Sequence, residues 1–383
     1  MPEYAGHLLF HVSRGNDGRC VLSTVSTRPV HTANLFRNKT CRTALSLVPR
    51  LYSLCALAQG VAAVTVTETA LGTGSDSEAR LQREILVAIE TIREHLWRKL
   101  VHWRELTGLE ADISRFSALN SAANSLIQGI NPGYCLMSEP AAGAVIGLER
   151  LKPDFLTFYA LAEESLGETR YLLAKRPGDH HPEFTHLIVN KWDRLGDGNE
   201  SPLDGLSFSA LSAKLASDDA NGFIAAPEWD GQPRETGSLP RMLKDPAFKA
   251  WCRIHGTGLY GRWLAPLLET RMLLDWLFCT FDDREMNLDF PYGLSSTERQ
   301  PDGSALCTVE SARGCLLHRL ELKRDTVVNY QILAPTEWNF HPRGCLAQMV
   351  RALPFNDPEI ERKVRALVLA IDPCVAFQVH VTG

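Results

Sequence analysis

A chain of 383 residues, 45% hydrophobic and 22% charged, has the composition of an ordinary globular protein able to bury a substantial core. A net charge of −5 leaves no basic stripe for nucleic acid, and no apolar run is long enough to span a bilayer, so neither is expected as a partner. Met1-Pro2-Glu3-Tyr4 lacks the charged and apolar regions of a signal peptide, which places the protein in the cytoplasm and predicts that its ten cysteines stay mostly buried thiols.

In chain order, His7–Val12 and Cys20–Val25 are apolar runs rich in β-formers on either side of Asp17-Gly18, and predict a hairpin. From Thr40 to Val64 apolar residues recur at helical spacing, with Pro49 as a kink or restart, so Cys55 falls on a helix or in its first turns. After a flexible stretch from Leu71 to Asp76, one apolar face including Leu81, Ile85, Ile92 and Trp103 predicts a long helix from Ser77 to Leu106. His95 and His102 are expected on it as partly exposed histidines without a metal. Helices are predicted over Ile113–Ile127 and Leu151–Ala162, then a strand over Glu168–Ala174. Pro177 to His186 holds three histidines and two acids, but its prolines and glycine predict a surface loop and its spacing fits no standard closed metal site. A strand over Leu187–Asn190 and an exposed connection over Leu195–Ser201 are expected to follow.

Two segments concentrate the chemistry. Two cysteines three residues apart can grip one metal from a single turn. The run from Arg50 to Gln59 keeps one such cysteine, Cys55, with Tyr52 three residues before it; the run from Asp372 to His380 keeps Cys374, with Phe377 three residues after it. Together they resemble the first and last metal motifs of nickel-iron hydrogenase large subunits, Arg-x-Cys-x-x-Cys-x-x-x-His and Asp-Pro-Cys-x-x-Cys-x-x-His. Arg50, Cys55, Asp372, Pro373, Cys374 and His380 match, whereas Tyr52, Gln59 and Phe377 depart. Three further runs extend the resemblance. Gly231, Pro233, Glu235, Gly237, Leu239 and Arg241 match a glycine- and proline-rich stretch; Glu310, Arg313, Gly314, Leu316 and His318 match Glu-x-x-Arg-Gly-x-Leu-x-His; Asn329-Tyr330-Gln331, Pro335-Thr336 and Trp338-Asn339 match Asn-Tyr-Gln-x-x-x-Pro-Thr-x-Trp-Asn.

The resemblance implies a mainly helical α+β fold over residues 1–383 as one domain, with an N-terminal hairpin and further strands around Leu316 to Leu333. In such enzymes the iron carries two cyanides and a carbonyl, and buried cyanide nitrogens accept hydrogen bonds. Arg313 can donate to one with charge assistance and the Pro335-Thr336 turn to the other. With two thiolates missing, a soft divalent metal loses two of its strongest ligands, so no nickel is expected and the Tyr52 and Phe377 rings would fill its place. A proton acceptor is lost as well, with Ala33 at the position of a hydrogenase glutamate and Gln59 at that of the motif histidine. Only three residues follow His380, so no cleavable tail is expected.

These departures are similar to those of the hydrogenase accessory proteins of the HupK/HoxV type, degenerate large subunits. The implied function is a non-catalytic scaffold on which an Fe(CN)2(CO) unit is held by Cys55 and Cys374 and then transferred. Since Cys374 matches the first, nickel-only cysteine of its motif, either the iron shifts within the cavity or Cys55 holds it with a partner's cysteine. The implied partners are a HypC-type chaperone with its HypD-type assembly partner, and a hydrogenase large-subunit precursor. Two other classes stay open: an active metal-dependent oxidoreductase with a redesigned site, and a metal-free chaperone for a hydrogenase precursor.

Overall fold

The computed structural model describes residues 6–29, 32–52, 54–74, 76–138, 147–198, 200–282 and 290–382. The opening Met1-Pro2-Glu3-Tyr4-Ala5 and the connection through Ser75 lie partly or wholly outside them. The main elements in chain order are β1 (His7–Arg14), β2 (Cys20–Ser26), α1 (Cys41–Leu51), α2 (Ala56–Leu71), α3 (Ser77–Trp97), α4 (Ile113–Ile130), α5 (Lys152–Leu166), α6 (Leu259–Phe281), β3 (Ser295–Arg299), β4 (Ala305–Ser311), β5 (Gly314–Lys323), β6 (Thr326–Leu333), α7 (Pro335–Asn339), α8 (Ile360–Ile371) and β7 (Ala376–Thr382).

The helices α2, α3 and α6 form the middle of the molecule, and their residue types say why. Nearly every residue of α2 from Leu57 to Ala70 is buried, as expected of a helix apolar on all sides. It ends at Gly72, whose φ of 71° is the left-handed conformation that closes a helix. Asp76 caps α3 by accepting from the Ala79 amide at 3.3 Å. The helix then widens into a π segment over Arg98–Trp103, which keeps Arg98, Lys99 and Leu100 all buried. The periodicity from Thr40 to Val64 is two helices rather than one, with Pro49 inside α1, which ends at Leu51, and α2 starting at Ala56.

Two larger sheets pack on the helices, one against α2 and the other against α8. β3 to β6 form an antiparallel four-stranded sheet in sequence order, and α2 packs on β4 and β5. The N-terminal hairpin is as expected, with Leu8 opposite Ser26 through Arg14 opposite Cys20. It also gains a third strand: β7 runs parallel to β1, placing Phe377 beside Leu8 and His380 beside His11. The chain's last described segment is thereby fixed to its first, and Cys374, just before β7, is carried to the hairpin.

Four sequence expectations are corrected. Glu168–Ala174 holds a helical turn, Arg170–Leu173, instead of a strand. Leu187–Asn190 belongs to the helix Pro182–Val189, where Pro182 occupies the first turn that its fixed φ suits, and Phe184 and Leu187 point into the core. The histidine-rich run is therefore only partly a surface loop: His181 is buried, its Nε2 lying 3.0 Å from the Glu168 carbonyl. His95 is also fully buried rather than partly exposed.

Candidate metal centre

Cys55 and Cys374 come from opposite ends of the chain and lie within electrostatic reach of each other. Cys55 is the residue that precedes α2, and Cys374 lies between α8 and β7. Of the nine described cysteines, all free thiols, these two and Cys279 are half-buried while the rest are buried. Burial pushes the Cys55 thiol up; the neighbouring Cys374 and Glu90 push it further, and Arg313 and a hydrogen bond from Gln59 oppose them. The two sulfurs therefore feel each other directly.

Local chemistry holds each thiol in place. The first free amides of α2 are capped from another helix: Glu90 of α3 accepts from Leu57 N at 2.9 Å and Ala58 N at 3.0 Å, a carboxylate spanning a helix N-terminus. On the other side, the Thr336 hydroxyl lies 2.8 Å from Cys374 Sγ and 3.4 Å from the Cys374 amide. Asp372, the residue that ends α8, is buried with a φ of 62°, a left-handed conformation that turns the chain toward Cys374.

Arg313 sits in the tight turn between β4 and β5. Its Nη2 donates to Glu94 of α3 at 3.2 Å, and its Nε lies 2.9 Å from Asp372 Oδ2 as an ion pair without hydrogen-bond alignment. Its Nη1 is buried with no hydrogen-bond partner, a costly state for a charged donor. Asp372 also faces Arg98 Nε at 3.6 Å. Arg98 in turn contacts His95 Nδ1, and His95 Nε2 reaches Glu269 at 2.9 Å. Burial and the neighbouring arginines hold His95 down at about 4, so it is neutral, with Nδ1 accepting from Arg98 and Nε2–H donating to Glu269.

The motif runs in the second half of the chain prove to be the struts of this site. Asn339 Oδ1 accepts from Thr236 N at 2.8 Å while its Nδ2 donates to the Arg313 carbonyl at 3.2 Å; Thr236 Oγ1 accepts from Cys315 N at 2.8 Å. Gly237 and Gly314 lie where these backbones cross, at φ 118° and 122°. A Cβ on Gly314 would stand 2.6 Å from Gly237 N. Glu235 forms a buried two-pronged pair with Arg262 of α6.

Gln59 lies where the resemblance would put a histidine, and it ends a chain of hydrogen bonds. Tyr330 Oη lies 2.8 Å from His318 Nδ1, and His318 Nε2 lies 2.9 Å from Gln59 Oε1. Burial holds His318 down at about 3, so the imidazole is neutral, accepting from Tyr330 and donating to Gln59, whose amide N–H groups are left for Cys55.

The remaining sequence candidates divide. Tyr52 packs against the main core, and its phenol, pushed up by burial, shares its surroundings with Arg28, Cys55, Glu337 and Cys374. Phe377 packs edge-on to Phe10 at 6.1 Å, with Arg365 over its ring at 5.5 Å. His380 is not part of the site. It is exposed on β7, stacked on His11 at 5.5 Å. Pro335 opens α7 and so sets the position of Thr336. Sequence reasoning missed Arg28, Glu90, Glu94 and Glu337. Glu90 and Glu94 stand four residues apart on the side of α3 opposite its apolar stripe, where acids on a helix read as solvent-facing, so the sequence carries no clear signal for them; in the structure both are buried. Among the described residues no three His, Cys, Asp or Glu side chains converge on one point, so the centre offers a metal two thiols and hydrogen-bond donors around them. A cleft of about 820 Å³ opens beside it, lined by Leu54, Arg313, Pro373 and Phe377 among others.

Residues 179–380 match the family model described as nickel-dependent hydrogenase. The hydrogenase expression/formation protein HupV of Azotobacter chroococcum mcd 1 is 30% identical, over 98% of this chain and 99% of its own length. This chain belongs to the hydrogenase expression/formation proteins of the HupV, HupK and HoxV group. A second member, HupK of Azotobacter vinelandii, is 29% identical over 98% of this chain and 99% of its own. The fold is shared more widely: a chain of the Ni-Fe-Se hydrogenase from D. vulgaris Hildenborough in the reduced state superposes with a TM-score of 0.65 at 16% identity, covering 94% of this chain and 94% of that one. The architecture is the α+β fold of a hydrogenase large subunit.

Proposed function

We propose that this protein acts in hydrogenase maturation as a non-catalytic carrier, on which an Fe(CN)2(CO) unit is held and from which it passes to a hydrogenase large-subunit precursor. A role in maturation is supported by its relatives, which are hydrogenase expression/formation proteins. The carrier role rests on one observation: Arg313, whose buried Nη1 has no hydrogen-bond partner, lies within electrostatic reach of both thiols, and the Thr336 hydroxyl touches Cys374 Sγ. Such donors fit the cyanide nitrogens of an iron dicyanide carbonyl unit, and the thiols fit its iron. Cys55 and Cys374 would bind the iron, and Arg313 and Thr336 the cyanides. In transfer each Fe–S bond to this chain is exchanged for one to a recipient thiol, whose proton moves to the departing cysteine, so no oxidant or reductant is needed.

The giving partner in this scheme is a HypC-type chaperone with its HypD-type assembly partner. Nickel is not part of the cargo, since Tyr52 and Phe377 stand in place of two thiolates. Anaerobic infrared spectra of the purified protein test the proposal. Cyanide and carbonyl bands are expected in the wild type and lost in both Cys55→Ala and Cys374→Ala. Bands retained in both variants would refute the two-thiolate carrier, and hydrogen-dependent dye reduction by the wild type would favour an enzyme.

A further inference from the structure

β7 is an edge strand. It pairs with β1 alone, in parallel, over Ala376 to Thr382, and its other edge meets no backbone group among the described residues. The remaining edges of the two larger sheets are each closed or charged. At β2, Cys20 N donates to the Leu353 carbonyl at 3.0 Å and the helix Cys345–Arg351 packs alongside. At β6, Val327 N donates to the Lys39 carbonyl at 2.9 Å, and the Val327 carbonyl accepts from Asn38 N at 2.9 Å. The edge strand β3 carries Glu298 and Arg299. By contrast β7, Ala-Phe-Gln-Val-His-Val-Thr, holds no proline, lysine, arginine or carboxylate, and Ala376, Gln378, His380 and Thr382 are exposed. Prolines, charges and covering elements are what keep a sheet edge from pairing with another chain, and β7 has none of them.

The open edge begins at the candidate centre. Cys374, its sulfur 2.8 Å from the Thr336 hydroxyl, stands two residues before β7. The cleft of about 820 Å³ is walled by Pro373, Val375, Ala376 and Phe377 and by no residue of β1 or β2, so it opens on the side of β7 away from β1. Its inner wall includes the buried Arg313, and its rim includes Arg362 and Arg365, both exposed on α8. Glu359 answers Arg362 at 2.7 Å, whereas Arg365 lies over the Phe377 ring at 5.5 Å and pairs with no carboxylate among the described residues. A row of free N–H and C=O groups is complemented by another extended backbone, and a lone exposed guanidinium beside it by a carboxylate. We propose that β7 is the docking edge for the protein that receives the cargo: an extended segment of that partner, with an acidic side chain against Arg365, adds to β7 as a fourth strand, and its course along the cleft brings the recipient thiol to Cys374. This inference rests on the carrier reading of the same site.

The test uses the full chain and, as probe, a hydrogenase large-subunit precursor purified without metal. Two quantities are measured: the dissociation constant of the complex, and amide hydrogen exchange over residues 375–382 with and without the probe. On mixing, exchange over that stretch is expected to slow about tenfold. Gln378→Pro, which takes a donor from the strand, and Arg365→Glu, which reverses the rim charge, should each weaken binding about tenfold, with Arg365→Lys close to wild type. Thermal unfolding checks that each variant is folded, and the exposed Arg365 carries the test if Gln378→Pro disturbs the sheet. No binding, unchanged exchange over 375–382 in the complex, or Arg365→Glu binding as tightly as wild type would each overturn the inference. Exchange that slows in the chain alone as its concentration rises, with dimers in sedimentation, would assign the edge to a second copy and overturn it as well. Infrared spectra of the same preparation separate the two readings. Protection of β7 by the probe without cyanide and carbonyl bands leaves the docking edge standing and the carrier reading failed; bands without protection do the reverse.

Discussion

Replacing Glu90 by glutamine tests how the Cys55 end of the centre is held. The carboxylate accepts from the first two free amides of α2, at 2.9 and 3.0 Å, beside Cys55. Burial nevertheless outweighs those bonds and the nearby Arg93, and Glu94 adds repulsion, so the group is pushed up to about 7 from its ordinary 4.5. An acid whose folded value is raised stabilises the fold most below its unfolded value, and that contribution is lost as pH rises through the folded one. The shift corresponds to about 3 kcal/mol, lost between roughly pH 4.5 and pH 7. Glutamine resembles the protonated acid and cannot ionise. Glu90→Gln should therefore unfold within about 1 kcal/mol of wild type at pH 5 and gain on it by about 3 kcal/mol by pH 8. Urea unfolding of both proteins at half-unit pH steps reads this directly, because histidine contributions common to both cancel in the difference. With the negative charge gone, Cys55 should also react faster with iodoacetamide at pH 8. A flat difference curve from pH 5 to pH 8 would refute the placement of Glu90 against the helix terminus.

Three further outcomes are expected. His95 and His318 are held down at about 4 and about 3, below the usual 6.5, so wild-type stability should fall as pH drops from 6.5 toward 4, by about 3 kcal/mol for each histidine; His318→Asn should weaken that slope in urea titrations. Thr336→Val keeps the volume but removes the hydroxyl 2.8 Å from Cys374 Sγ, and should cost about 1 kcal/mol in chemical unfolding while shifting or weakening one cyanide band in the infrared. Glu235→Ala leaves Arg262 buried and unpaired on α6, and should cost about 3–5 kcal/mol in thermal or chemical unfolding.

How far the structure was legible beforehand varied with the range of the interactions. The hairpin, α3, α4 and α5 depend on local periodicity and turn residues, and their positions follow from the chain alone. Leu187–Asn190 failed because a four-residue apolar run reads equally as strand or helix. Pro182 at the helix start and the core beneath Phe184 and Leu187 decided for helix. His95 failed for a different reason. A histidine on the polar edge of an amphipathic helix is ordinarily half-exposed, and only the packing of α6 with its Glu269 against that edge buried it.

The sequence by itself determined which side chains are on offer: one cysteine in each of the two end runs, Cys55 and Cys374, and Arg313 and Pro335-Thr336 in the motif runs of the second half. It also carried the likeness to hydrogenase large subunits, since motif residues such as Gly314 and Asn339 are constrained by backbone crossings that few other residues tolerate. Only the tertiary structure decided which groups share the site. It brought Cys374 within electrostatic reach of Cys55, set His380 outside on a sheet edge, and placed Glu90 near Cys55 and Glu94 against Arg313. The physical reason is that a charge acts through space at the distance folding gives it, and nothing in the order of residues encodes that Arg28 and Glu337, more than three hundred positions apart, share one buried ion pair.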